Sequence, residues 1–219
     1  KYIKFAKSTD GGATWTISRA LDGNKSVIAF TSVYALDSQN IFIASSPDDR
    51  DLWFAKSTNG GQTWTTKLVQ AMDSTGYLGR WPSIHAVDAN TILIGYDYEQ
   101  TGPTWDTSVY ETRFAKSVDG GNSWAITRVD VNNDAAGVTS MDVIGSNNIF
   151  VAYAGDRGKG LKFAKSIDSG ANWQIQTLYA TDDYWSISLD AIDANTTFIA
   201  AHDILSPQKV DFAKSTNGG

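Results

Sequence analysis

Phe5-Ala6-Lys7-Ser8-Thr9-Asp10-Gly11-Gly12-Ala13-Thr14-Trp15 decides the architecture of this 219-residue chain, because the stretch returns along it. Phe-Ala-Lys-Ser begins again at Phe54, Phe114, Phe163 and Phe212, at spacings of 49, 60, 49 and 49 residues. One unit is therefore 49 residues long, and the second carries an 11-residue insertion. That period suits four short strands, one blade of a propeller, whereas the rungs of a stacked β-helix are shorter.

About half a period from each copy lies an alternating pattern, first Ser32-Val33-Tyr34-Ala35-Leu36-Asp37 and then Asn40-Ile41-Phe42-Ile43-Ala44. Counterparts run over 83–88 with 91–95, 140–144 with 148–152, and 188–193 with 197–201. Alternation across a short turn of Asp, Asn, Ser, Ala or Gly predicts two strands, A and B, in a tight hairpin. Strand C then ends in Phe-Ala-Lys-Ser, and strand D begins at the following Trp. No stretch shows sustained helical periodicity. The expected class is all-β: a β-propeller of four-stranded antiparallel blades, about four of them visible, either complete or part of a larger ring. A single domain over 1–219 is expected, with blade repeats near 1–20, 26–70, 81–130, 138–180 and 186–219. The strand count gives C and D first, three whole blades, then A, B and a surplus C. That surplus fits a piece of a longer propeller, exchange of strands between two chains, or a final segment that displaces or duplicates Tyr2–Lys7.

The C-to-D joins carry their own signature. Ser8, Asp10, Gly12 and Trp15 stand at the same offsets as Ser57, Asn59, Gly61 and Trp64. Ser117, Asp119, Gly121 and Trp124 repeat them, as do Ser166, Asp168, Gly170 and Trp173, and Ser215–Gly219 opens a fifth copy. Ser and Asp or Asn oxygens accept turn amide protons, Gly permits left-handed backbone, and the Trp ring covers the turn. Asn59 and Asn217 fill the acidic place, so the shared requirement is hydrogen-bond acceptance rather than proton transfer. These residues are read as structural.

The pattern resembles the Asp-box, Ser-x-Asp-x-Gly-x-x-Trp, of the bacterial-neuraminidase-repeat (BNR) β-propellers, which include the sialidases. The resemblance runs through the whole chain. It implies that the boxes lie on the face away from the ligand site, which leaves the D-to-A and B-to-C connections to make contacts. The insertion, Asp97 to Tyr110, offers Tyr98, Trp105 and carboxylates as a sugar-contacting wall, or simply caps the ring. Gly79-Arg80-Trp81-Pro82 resembles the Arg-Ile-Pro element of sialidases, which implies an Arg gripping a substrate carboxylate, with Trp81 in place of the Ile. Arg50 and Arg157 are candidate partners, each equally readable as a charge paired with an adjacent Asp. The last D-to-A loop contributes Tyr184 and Trp185. A sialidase also needs a Tyr nucleophile activated by Glu. Tyr98 and Glu99 are adjacent, but neighbours on a strand face opposite ways, so no catalytic residue is assigned.

Composition narrows the partners. A net charge of −6 argues against nucleic acid or an acidic membrane surface. With no cysteine there is no thiol nucleophile or thiolate metal site, and His85 and His202 are too few for a metal centre. Asp130–Asp134 begins like a calcium loop, but Ala135 and Met141 replace its Gly and Glu. No metal or cofactor is expected. No run of eighteen apolar residues or secretory leader is visible. Asn24 and Asn195 head glycosylation triplets, which are common by chance. The expected function is non-catalytic recognition of carbohydrate or protein by an extracellular or cell-surface propeller. Its contacts would be Arg80, Trp81, Tyr98, Trp105, Tyr184 and Trp185. A sialidase-like glycoside hydrolase or fragment of one, and a structural or engineered repeat without ligand, are the alternatives.

Overall fold

The computed structural model describes residues 2–22, 30–47, 51–72, 76–100, 107–130, 135–155, 158–205 and 207–219. Its strands form five antiparallel sheets. Tyr2–Lys7 (β1) pairs with Thr16–Asp22 (β2). Phe30–Ala35 (β3), Ile41–Ser46 (β4), Asp51–Ser57 (β5) and Thr65–Ala71 (β6) make the first four-stranded sheet. Gly76–Ala86 (β7), Ile92–Gln100 (β8), Val109–Ser117 (β9) and Ala125–Arg128 (β10) make the second. Ala135–Ile144 (β11), Asn148–Gly155 (β12), Leu161–Ser166 (β13) and Gln174–Tyr179 (β14) make the third. Tyr184–Ala191 (β15), Thr197–Asp203 (β16) and Lys209–Ser215 (β17) form a last sheet of three. No helix among the described residues is long and apolar enough to cross a membrane.

Burial explains the composition of each strand. Second strands such as β4 and β12 are nearly all buried and read as continuous apolar runs, because neighbouring sheets cover both faces. Fourth strands β6, β10 and β14 are mostly exposed and carry Thr, Lys, Gln and Arg. The first strands β3, β7, β11 and β15 pack side by side from sheet to sheet. One serine repeats along this inner row. Ser32 Oγ accepts from Ile84 N (3.3 Å), Ser83 Oγ from Met141 N (3.1 Å) and Ser140 Oγ from Leu189 N (3.0 Å).

The repeated tetrapeptide and hairpin form the outer joint between sheets. Phe5, Phe54 and Phe114 meet Trp64, Trp124 and Trp173 of the next sheet edge to face, with centroids 5.2–5.4 Å apart. A side chain on Gly61, Gly121 or Gly170 would overlap the same Phe rings, and all three glycines have φ near +90°. Glycine is thus required twice, for backbone sign and for ring approach. Lys7, Lys56 and Lys165 each reach into the following sheet and donate to a turn carbonyl, those of Ser38, Ala89 and Ala194.

The strand count read from the sequence holds: two strands, three four-stranded sheets, then three strands. Two inner strands start earlier than the repeats suggest, β7 at Gly76 rather than 81 and β11 at Ala135 rather than 138. Register shifts at Leu78/Arg80, Arg80/Ser83 and Ala135/Thr139 interrupt the alternation there, so its period-two signal fades before the strand does. Among the described residues, β1–β2 and β15–β17 remain separate sheets.

Candidate functional site

Backbone bonds place the hairpins. Gly60 N donates to Gln39 O (2.9 Å), Gly120 N to Asn90 O (2.9 Å) and Gly218 N to Asn195 O (2.8 Å), tying each C-to-D hairpin to the A-to-B turn of its own sheet. Both turns share one end of the sheets, and the other connections share the opposite rim. Within each hairpin the Ser hydroxyl accepts from the Gly N–H four residues on, at 2.8 Å for Ser8, Ser57 and Ser117 and 2.9 Å for Ser166. Asp10, Asn59, Asp119 and Asp168 each accept the backbone N–H four residues on through Oδ1 at 2.9 Å. Bonds from Thr14, Ser123 and Asn172 hold the three carboxyls well below the usual range, to about 2 for Asp10 and Asp168. Such groups stay ionised and are poor proton donors.

The opposite rim of the second sheet gathers the most chemistry. Arg80 Nη1 lies 3.4 Å from Glu99 Oε2, and its guanidinium stacks on Tyr77 at 3.6 Å from the ring centroid. Trp81 has a left-handed φ of 42°, rare for a bulky residue, and tilts against Phe30 at 4.6 Å. Backbone strain of this kind concentrates at binding sites. Trp81 O is held by Thr139 Oγ1 at 2.7 Å, and the indole lies beside Gly137. Behind them, Glu111 is buried between Arg113 (2.8 Å) and Arg128 (2.9 Å), and Arg113 lies 3.3 Å over the Tyr98 ring.

Asp97, expected in the insertion loop, is instead buried within β8 and accepts Gly137 N–H at 3.2 Å. Burial pushes its carboxyl up to about 7, against the opposing pull of that amide and of Arg80. A raised carboxyl makes the folded state bind more protons than the unfolded one between about pH 4 and pH 7. Its contribution is fully present below pH 4 and lost as pH rises through 7. The expected result is that Asp97→Asn gains on the wild type by about 4 kcal/mol between pH 4 and pH 8, measured by urea unfolding. A difference that does not move with pH contradicts the assignment.

On the last sheet, Tyr184 is buried and donates to Asp211 (2.8 Å), with Asp182 3.2 Å away. Burial, then Asp211 and Asp182, push its phenol up. Asp182, Asp203 and Asp211 converge within 4.8 Å of one another, but Lys209 Nζ sits among them at 3.0, 3.7 and 3.3 Å. The ammonium fills the place a metal ion would take. Against the third sheet, Asp130 is buried beside Lys162 (3.1 Å) and Tyr153 OH (2.9 Å), and the rest of the calcium-like stretch, 131–134, lies outside the described residues.

The expected contacts thus fall into two groups. Arg80 and Trp81 are together with Tyr77 and Glu99. Trp185, 70% exposed, stands beside the Tyr184 cluster. Arg80 and Trp185 each stand three residues before an inner-row serine, Ser83 and Ser188, beside register shifts in both strands. Tyr98 and Tyr184 are 4% and 2% exposed and support the rim rather than face outward from it. Tyr98 and Glu99 are neighbours on β8 and point to opposite sides of it. Trp105, Arg50, Arg157 and Asn24 lie outside the described residues. Sequence reasoning missed Tyr77 and placed Asp97 in a loop rather than in β8. An aromatic three residues before Arg80 was the one available signal.

No protein-family model and no curated protein matches the chain. Solved structures do. A polysaccharide lyase of the PL25 ulvan lyase family, bound to -[GlcA(1-4)Rha3S]-, superposes with a TM-score of 0.67 at 13% identity, over 97% of this chain and 58% of that one. The NanB sialidase from Streptococcus pneumoniae gives 0.64 at 14% identity, over 99% and 35%. The GH93 α-L-arabinofuranosidase of Fusarium graminearum gives 0.57 at 14%, over 86% and 62%. The chain therefore spans about a third to three-fifths of these proteins, and the likeness establishes its fold as an all-β propeller of four-stranded antiparallel blades.

Proposed function

We propose that the chain recognises carbohydrate through the rim opposite its hairpins, without catalysing a reaction. The carrying observation is the placement of aromatic surface there. Trp185 stands 70% exposed, and Tyr77, 39% exposed, carries the Arg80 guanidinium on its ring. Exposed ring faces stack on pyranoses, and a planar guanidinium held by Glu99 offers hydrogen bonds to hydroxyl or carboxylate oxygens. The neighbours named above support the ligand class, since their own ligands or substrates are carbohydrates. An extracellular or cell-surface setting fits such ligands and belongs to the same proposal.

Absence of catalysis is supported by the carboxyls. Asp97 is buried, Glu99 faces Arg80, and Tyr98 lies under Arg113. The expected result on a glycan array is binding by the wild type that falls about tenfold or more in Arg80→Ala and in Trp185→Ala, with Trp185→Ala melting unchanged. Binding that survives both replacements places the ligand elsewhere.

One observation favours a second, catalytic reading. The Asp97 carboxyl, raised to about 7, lies close enough to Arg80 to be influenced by it. A proton donor of that kind suits glycoside cleavage. Turnover of a fluorogenic sialoside or of ulvan that disappears in Asp97→Asn establishes it, and no turnover of either leaves recognition standing.

A further inference from the structure

Two residues past its serines, the inner row holds a cluster of titratable side chains. Tyr34 of β3, His85 of β7 and Asp142 of β11 stand at that offset in three successive sheets. The Tyr34 and His85 rings tilt together with centroids 4.3 Å apart, and His85 Nδ1 lies 3.9 Å from Asp142 Oδ1, too far for a hydrogen bond. The His85 side chain is only 17% exposed, and its ring makes no hydrogen bond among the described residues. Asp142 is committed elsewhere. Its Oδ1 accepts Val143 N–H and its Oδ2 accepts Ala191 N–H of β15, each at 2.8 Å, and the second bond ties the third sheet to the last. Tyr34 and Asp142 are the titratable groups that face His85 from β3 and β11. On the other sides, β8 sets Leu93 opposite it, β4 carries no titratable side chain, and Lys56 of β5 is turned to Ala89 O.

We infer that His85 is an acid-sensitive latch on the inner row: protonation of its imidazole draws Asp142 off Ala191 N–H and loosens β15 from β11. A cation formed in this seam is mostly covered, and Asp142 is the counter-charge beside it. The carboxylate cannot close the 3.9 Å gap while backbone amides hold both its oxygens, so the ion pair forms at the expense of the bond to β15. Burial, then Asp142, push the Tyr34 phenol up, so that ring stays neutral and does not compete. Burial pushes the His85 imidazole down against the pull of Asp142, which leaves it uncharged and the latch closed at neutral pH. Below about pH 6.5 the folded state then binds fewer protons than the unfolded one. The His85 contribution is present above that value and is lost as pH falls through the lowered one, opposite in sign to that of Asp97. The serine rung does not titrate, and Ser140 Oγ keeps Leu189 N–H, so the loosening is confined to the Ala191 end of β15.

Amide exchange at Ala191 in the full chain, followed by NMR between about pH 7.5 and pH 5 without ligand and corrected for the intrinsic rate, tests this. Protection in the wild type is expected to fall about tenfold or more in acid, with Leu189 N–H changing less. His85→Gln has no ring to titrate and keeps its protection across the range. Asp142→Asn also keeps it, since the amide still offers Ala191 N–H an oxygen but gives the imidazolium no counter-charge. In that variant the His85 midpoint, read from imidazole resonances shared with His202 alone, drops below that of the wild type. Wild-type protection that holds in acid overturns the proposal. So does a loss of the same size in either variant, which traces the acid response to another group.

Discussion

Gly121→Ala is expected to destabilise the protein by about 3 kcal/mol, while Gly12→Ala, at the same place in the first hairpin, costs about 1 kcal/mol. Both glycines have φ near +90°, so both substitutions strain the backbone. Only at Gly121 would the new Cβ overlap a neighbour, the Phe54 ring, which is itself held by Trp124 at 5.3 Å. The ring has nowhere to go, because Phe42 stacks on it at 6.0 Å within its own sheet. At Gly12 the nearest atom is 3.9 Å away. The difference between the two variants, read from urea unfolding at neutral pH, isolates the joint between sheets from the conformational preference of the turn. Equal losses contradict the joint.

Asp130→Ala is expected to cost about 3–5 kcal/mol, since it removes one partner of a buried, hydrogen-bonded ion pair. Both side chains are almost wholly covered, 0% and 8% exposed, and the Asp130 carboxylate also accepts from Tyr153 OH. Lys162→Met in the Asp130→Ala background removes the other member of the pair and is expected to recover part of the loss. A double variant no more stable than Asp130→Ala shows that the aspartate acts through other partners.

Much of the fold was legible because a repeated joint demands repeated residues. Phe54, Ser57, Gly61 and Trp64 each make a contact that the next repeat also makes, so the constraint is written into the sequence at a fixed period. Asn59 in the place of Asp10 showed that acceptance mattered and charge did not, and the two residues accept equivalent bonds at 2.9 Å. The rim was less legible for the opposite reason. Tyr98 and Tyr184 read as ligand contacts because they are aromatic and lie near loops, but their direction depends on register shifts that composition does not record. Asp97 was taken for a loop residue because β8 runs on to Gln100, past the point where alternation in the sequence gives out.

The central claim divides the molecule into joinery at the hairpins and recognition at the opposite rim. Paired measurement of melting temperature and glycan affinity on Trp124→Ala and Trp185→Ala tests it most directly. The account predicts that Trp124→Ala, removing a ring packed on Phe54, lowers melting and leaves the affinity of the remaining folded protein intact, while Trp185→Ala does the reverse. Loss of glycan affinity in folded Trp124→Ala, with Trp185→Ala binding as the wild type, contradicts it.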